Sequence, residues 1–294
     1  MEEIKAKTML SAYQKDSQWF GHHYNLNIYK GCSHGCIYCD SRSECYRIDN
    51  FDEVKAKENA LLILEKELKT KRKKGVIGSG AMSDPYNPQE RIHQLTRKSL
   101  ILIDKYQFGV SLTTKSSLIE RDLDILLEIK KHSAVLVLMT ITTADDLLAS
   151  MIEPGASKTS ERFETLRKLS SANIATGILM MPILPFINDT EENVSSIISK
   201  ASQCGVRYIY PAFGVTLRQN QRDYYFEQLD KKFPGIKQKT MQAFNDRYVC
   251  TSPNAHRLSR VFEQLCKESN IITNMKQIIA DYQSEVQSEQ LKLF

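Results

Sequence analysis

Between residues 24 and 213, short apolar, β-branched runs alternate with amphipathic stretches, and this alternation restricts the chain more than any other feature. Residues 24–29, 76–78, 108–113, 134–141, 174–181 and 208–213 read as strands. The intervening spacing predicts helices over 51–73 (with Asp52 as N-cap), 89–105, 121–131, 160–171 and 193–203. Strands separated by whole helices pair in parallel, because a tight turn cannot return the chain to the same end of a sheet. Six strands are too few for a closed eight-fold barrel. The expected fold is α/β, a partial (βα)6 barrel of parallel strands. Residues 1–23 are expected to form an N-terminal arm packed beside the barrel domain of residues 24–214. Residues 215–294, predicted helical around 237–248, 256–267 and 275–286, form an extension or lid over the mouth.

Bulk composition excludes several classes. At 294 residues, with 41% hydrophobic and 26% charged residues, the chain is long enough for a substantial core and ordinary in balance. No apolar run reaches membrane-spanning length, and the N-terminus lacks a signal-peptide core, so a cytoplasmic location is expected. Seven cysteines, an odd number, argue against a disulfide framework. A net charge of +5 permits a polyanionic partner without requiring one.

Three of those cysteines, Cys32, Cys36 and Cys39, form a C-x3-C-x2-C array in the loop after the first strand. Three thiolates on so short a loop can wrap one soft metal centre, an iron–sulfur cluster or zinc. A closed zinc site needs a fourth ligand, for which His34 or Cys45 is available; unconnected buried thiols are the other reading. A cubane on three cysteines keeps one iron open for a substrate or cofactor.

Active-site groups of parallel barrels gather at the C-terminal ends of the strands. There the chain carries the glycine-containing loop 78–90 with Ser83 and Asp84, able to hydrogen-bond an ammonium, or alternatively a stiff turn with Asp84 as a helix cap. Lys115 follows the third strand, either a partner for a carboxylate or a side chain pointing to solvent. Thr140, with Thr142 and Thr143, ends the fourth, where these threonines either contact ribose hydroxyls or simply suit a strand. Glu153-Pro-Gly and the stretch 182–189 with Asn188 and Asp189 complete the rim.

Together, Gly-Cys-x-His-Gly-Cys-x-Tyr-Cys, Ser-Asp-Pro-Tyr-x-Pro-x-Glu, Thr-Lys-Ser-x-Leu-Ile-x-Arg-Asp and Glu-Pro resemble the radical S-adenosylmethionine (radical SAM) superfamily, in its spore photoproduct lyase-like branch, often labelled DNA repair photolyases. The resemblance runs from about Tyr24 to Phe213. It implies a 4Fe–4S cluster on Cys32, Cys36 and Cys39, with S-adenosylmethionine on the open iron. One electron then cleaves the sulfonium to a 5′-deoxyadenosyl radical that abstracts hydrogen from a substrate. It further implies Tyr38 near the adenine, Ser83 and Lys115 at the methionine end, and a reductant such as flavodoxin or ferredoxin. The sharpest version is repair of a thymine lesion in DNA; the alternatives are another nucleotide, peptide or metabolite and, in a different class, a zinc-stabilised nucleic-acid-binding module.

The departures are specific. Lyases of this branch carry a tyrosine directly after the third cysteine and a cysteine just ahead of the Ser-Asp pair, both used to return a hydrogen atom to the thymine radical. Here those positions are Asp40 and Ala81. Tyr38 alone survives from that relay, and Cys45 is either a substitute donor or a packed free thiol. Ten Lys and Arg against six Asp and Glu between residues 211 and 269, interleaved with Tyr224, Tyr225, Phe226 and Phe244, suit either DNA contact with base stacking or ordinary helix packing.

Overall fold

The structure, a computed structural model, describes residues 1–13 and 19–290. The part of the N-terminal arm expected over 14–18 lies outside the described residues. In chain order the elements are β1 (Glu3–Ile4), β2 (Leu10–Ala12), β3 (Tyr24–Leu26), β4 (Tyr29–Lys30), β5 (Lys55–Lys57), α1 (Ala60–Thr70), β6 (Val76–Ser79), α2 (Glu90–His93) and α3 (Leu95–Lys105). There follow β7 (Gly109–Thr114), α4 (Leu123–Lys130), β8 (Val135–Thr140), α5 (Asp146–Ile152), α6 (Thr159–Ser171), β9 (Ala175–Met180), α7 (Glu191–Gln203) and β10 (Tyr208–Pro211). Beyond these lie β11 (Gly214–Thr216), α8 (Gln221–Lys232), α9 (Ile236–Phe244), β12 (Val249–Thr251), α10 (Ala255–Glu268) and α11 (Met275–Gln290).

The main sheet runs in the order β10-β9-β8-β7-β6-β3-β2. Its first six strands are mutually parallel, and β2 closes one edge antiparallel to β3. This is the open six-stranded barrel that the βα alternation predicts. Side chains alternate faces along a strand, so β8 serves two cores. Val135, Val137 and Met139 face the outer helices, with Leu100, Leu126, Leu166 and Ile197. Leu136 and Leu138 face the hollow, where Phe20, Ile278 and Tyr282 cover them. A strand buried on both faces reads as an unbroken apolar run, which is why this segment stands out in the sequence. Among the described residues no helix is long and apolar enough to cross a membrane.

Several local expectations are corrected. Residues 24–29 are not one strand: β3 joins the main sheet, whereas β4 turns into a second sheet of order β1-β5-β4. The helix predicted over 51–73 begins only at Ala60, because Lys55–Lys57 pairs with both β1 and β4. Asp52 is no N-cap; it pairs with Arg42. The helix predicted over 89–105 breaks at Gln94, which adopts φ +52°. Glu90 is responsible: its buried carboxylate accepts the amides of Thr96 and Arg97 at 2.9 and 3.2 Å, capping α3 from the preceding turn.

The C-terminal residues do not form a single lid. β11, β12, α8 and α9 pack around the cysteine loop through Val215, Leu217, Tyr225, Leu229 and Phe244. By contrast, α10 joins the outer helix layer beside α7 through Leu258 and Phe262. α11 covers the hollow of the sheet through Ile278 and Tyr282, and the Tyr282 hydroxyl donates to the Phe20 carbonyl at 2.6 Å.

Candidate active site

The cysteine loop has its own hydrogen-bond frame. The Cys32 amide donates to the Phe51 carbonyl at 2.8 Å, and the Ile37 amide donates to that of Ile152 at 2.9 Å. The Gly155 amide donates to the His34 carbonyl at 2.8 Å. The segment after β8, through Ile152 and Gly155, and the far end of the cysteine loop itself, through Phe51, thus fix the polypeptide on which the three thiols sit. Cys32, Cys36 and Cys39 all line one cavity, together with Ser83, Asp84, Lys115 and Thr140. Four different strand ends therefore meet at one place, as a parallel barrel requires.

Asp84 holds two of these loops together. One of its oxygens accepts from the Thr114 hydroxyl at 2.6 Å and the Tyr86 amide at 2.9 Å; the other accepts from the Lys115 amide at 2.8 Å. His34 Nδ1 lies 3.4 Å from that second oxygen. Burial alone opposes the charged carboxylate. The His34 ring, the Thr114 hydroxyl and the Lys115 amide outweigh it and hold the carboxyl at about 2. Burial likewise opposes a charged His34, and Asp84 reverses the balance, raising the imidazole to about 10. Ser83 is also engaged with the backbone, its hydroxyl donating to the Gly31 carbonyl. Gly80, at φ +102°, lets this loop cross β7 closely: a Cβ there would stand 2.0 Å from the Thr113 carbonyl oxygen.

A second charged group lies behind the cysteines. Glu153 and Arg162 form an ion pair at 2.6 Å with both side chains about 1% exposed. The Tyr38 hydroxyl donates to Glu153. Arg162 also donates to the carbonyls of Thr140 and Ser157, each at 2.8 Å. The Lys115 ammonium stands 5.7 Å from the centre of the Tyr38 ring. Burial disfavours its charge, but Cys36, Glu153 and Asp84 together raise its pKa above the ordinary value. Lys115 is thus a cation facing the thiols. Tyr38 packs with Ile152 and Leu184 and lines neither this cavity nor the adjoining one.

The structure separates Cys45 from the other thiols. It is exposed and borders a different surface cavity, with its sulfur 3.4 Å from Arg218. Asp40 is likewise occupied, accepting from Tyr46 at 2.9 Å and pairing with Arg218 at 3.2 Å. Ala81 lines both the thiol cavity and the adjoining one. The aromatic residues weighed as a base-stacking platform are inward: Tyr225 and Phe244 are buried, and Tyr224 receives the Arg42 guanidinium at 3.9 Å. That is helix packing. Arg162 gave no signal in the sequence, since an arginine in the first turn of a helix is usually a surface residue.

The donor set fits a cluster better than a single ion. Among the described residues no three His, Cys, Asp or Glu side chains converge tightly enough for one metal ion. In a cubane each iron takes its own thiolate, so the thiols need to line a common pocket rather than meet at a point. Cys36 feels Cys39 and Cys32 electrostatically, as such a grouping requires.

The Radical SAM superfamily model matches residues 26–196. An uncharacterized protein of Methanocaldococcus jannaschii is 35% identical over 174 residues, covering 58% of this chain and 64% of that protein. One from Mycobacterium tuberculosis is 25% identical over 220 residues, covering 72% and 64%. The chain therefore spans less than two-thirds of the length of either relative. Among solved structures, spore photoproduct lyase complexed with dinucleoside spore photoproduct superposes with a TM-score of 0.66 at 14% identity, covering 90% of this chain and 78% of that one. The radical S-adenosylmethionine methyltransferase TsrM of Kitasatospora setae gives 0.59 at 11% identity, covering 93% and 59%. These likenesses concern the fold. The family match covers more than half of the chain and includes the three cysteines and the loops that meet them, so this chain belongs to the Radical SAM superfamily.

Proposed function

We propose that the enzyme cleaves S-adenosylmethionine reductively and directs the resulting radical at a substrate held in the hollow of the barrel. The observation that carries this reading is the convergence of Cys32, Cys36, Cys39 and the cation Lys115 on one cavity that opens beside a second. When bound, a 4Fe–4S cluster and S-adenosylmethionine supply an electron and a 5′-deoxyadenosyl radical able to abstract hydrogen. Cys32, Cys36 and Cys39 hold the cluster. Lys115 offers its ammonium to the methionine carboxylate, a charge-assisted contact strengthened by burial. Thr140, at the end of β8, lines the same cavity and would meet the ribose. Ser83 and Asp84 fix the loop on which the amino group would rest, and Glu153 with Arg162 holds Tyr38 behind the cysteines. An external reductant of the flavodoxin or ferredoxin kind supplies the electron.

The first substrate to test is the thymine lesion itself, because the matched lyase structure contains a dinucleoside spore photoproduct. Asp40 and Ala81 leave this chain without the hydrogen-return residues of that chemistry, so radical formation and lesion reversal are separable here. The test uses anaerobically reconstituted protein, S-adenosylmethionine and dithionite, with and without DNA containing spore photoproduct. Restored thymine, with or without net 5′-deoxyadenosine, establishes a lyase. 5′-Deoxyadenosine without restored thymine keeps the radical reaction and moves the substrate elsewhere, to another nucleotide, a peptide or a metabolite. Neither product from cluster-loaded protein overturns the proposal.

A further inference from the structure

Next to the thiol cavity lies a second one of about 270 Å³, sharing Gly80, Ala81, Thr113, Lys115 and Thr140 with it. Its far wall is built by Trp19, His22, Asn25 and Met181. None of these belongs to the cysteine loop or to the strand-end motifs. The volume falls just under the range of pockets for drug-sized ligands, which begins at roughly 300 Å³. It suits a single-ring group.

Two unsatisfied polar side chains distinguish this wall. His22 is only 7% exposed, and neither of its ring nitrogens has a hydrogen-bond partner. The Asn25 side-chain carbonyl is buried and equally unpartnered. Buried polar groups are nearly always paired, and an orphaned one calls for an explanation. Burial, and to a lesser extent the neighbouring His23, lower the His22 pKa to about 4. The ring is therefore neutral near pH 7 and offers one donor and one acceptor. Asn25 offers an acceptor. The ring lies against Gly78, where a Cβ would come within 2.2 Å of Nδ1, so the glycine of β6 is what admits it. Trp19 adds an aromatic wall, itself held edge-on by Phe20 and Tyr210.

We infer that this wall is the substrate-recognition site and that it takes an uncharged ring bearing an amide or imide edge, whose N–H meets Asn25 and whose carbonyl or second N–H meets His22. Trp19, His22, Asn25 and Met181 carry no cation for a carboxylate or phosphate; Lys115 lines both cavities and is the proposed partner of the methionine carboxylate. A hydrocarbon leaves all three polar atoms unpaired, a cost that discriminates more strongly than lost contact area. The inference rests on the proposed radical reaction for its meaning as a substrate site, but not for its test. Nucleobases and cyclic peptide amides share the required edge.

The test uses the full chain, anaerobically reconstituted with its cluster and S-adenosylmethionine, in equilibrium dialysis against thymine and cyclo(Gly-Gly). 1,3-Dimethylthymine and sarcosine anhydride serve as controls, being the same rings without N–H. At least one N–H probe is expected to bind about tenfold more tightly than its methylated counterpart, the value of one or two buried hydrogen bonds. That preference is expected to fall below about threefold in Asn25→Leu and in His22→Phe, with Asn25→Leu deciding if the other variant fails to fold. Thymine alone identifies a nucleobase source, cyclo(Gly-Gly) alone a peptide source, and both together the shared edge; each supports the site. Equal binding of methylated probes, no binding of either N–H probe, or an unchanged preference in Asn25→Leu overturns it. S-Adenosylmethionine affinity and 5′-deoxyadenosine formation are read on the same wild-type samples. Their loss with the probe preference intact removes the radical reading and leaves the pocket standing.

Discussion

Glu153 and Arg162 face each other at 2.6 Å in a setting that excludes solvent from both, and the Tyr38 hydroxyl completes the group. Such a pair costs heavily to desolvate, so its net contribution to stability is small while the loss of one member is not. Arg162→Met is expected to destabilise the protein by about 3–5 kcal/mol in urea unfolding, because it leaves Glu153 charged and buried without its ion-pair partner. The double variant Glu153→Gln/Arg162→Met is expected to recover most of that loss. Equal losses in the single and double variants mean that Arg162 acts through its bonds to the Thr140 and Ser157 carbonyls instead.

The same pair predicts an acid dependence. Burial raises the Glu153 pKa, but Arg162 and Lys115 more than reverse this, and the folded value lies below the usual one. A depressed folded pKa contributes stability that is present above the unfolded value, about 4.3, and is lost as pH falls through the folded value. The wild type is therefore expected to lose stability below about pH 4 more steeply than the Glu153→Gln/Arg162→Met variant. Parallel profiles of unfolding midpoint against pH remove Glu153 as the source.

Much of this site was legible before any coordinates, for one physical reason. Parallel strands joined by helices must present their C-terminal loops together, so Cys32, Ser83, Lys115 and Thr140 converge once the strands are placed. Boundaries were less legible where a side chain far along the sequence decides them. Glu90 ends one helix by capping the next, and Asp52 is drawn away to Arg42. The second sheet around β5 rests on three residues, Lys55–Lys57, whose composition signals nothing. His22 and Asn25 were invisible because their importance lies in partners they lack, which no sequence pattern records.

Two cysteines are expected to part company on substitution. Cys36 lines the thiol cavity, whereas Cys45 lies exposed beside Arg218. Cys36→Ala is expected to lose the broad absorbance of the cluster and all 5′-deoxyadenosine formation, while Cys45→Ala keeps both. Loss of substrate-derived product in Cys45→Ala, with 5′-deoxyadenosine still formed, would restore Cys45 as a hydrogen donor.

Lys115 is the cation placed to meet a carboxylate in the thiol cavity. Lys115→Ala removes a charge-assisted contact of roughly 1.5–3 kcal/mol, so S-adenosylmethionine affinity is expected to fall about 10- to 100-fold in anaerobic calorimetry. An unchanged affinity with lowered thermal stability assigns the ammonium to Tyr38 and Glu153 instead.

Asp84 separates two roles that its position in the sequence could not. Its carboxylate accepts from Thr114, Tyr86 and Lys115 and faces His34, so it is committed before any cofactor arrives. Asp84→Asn keeps the shape but replaces one acceptor oxygen with a donor, opposing either the Lys115 amide or the Thr114 and Tyr86 donors. It also leaves His34 without its counter-charge. A loss of roughly 1–3 kcal/mol in the stability of protein without S-adenosylmethionine is expected, accompanied by weaker cofactor binding as the 78–90 loop loosens. The discriminating quantity is the order of these effects. If stability is untouched and only S-adenosylmethionine affinity falls, Asp84 contacts the cofactor directly. If stability falls in the absence of the cofactor, the carboxylate serves as the clasp between the loops after β6 and β7, and the ammonium of the methionine moiety rests on the loop that the clasp holds.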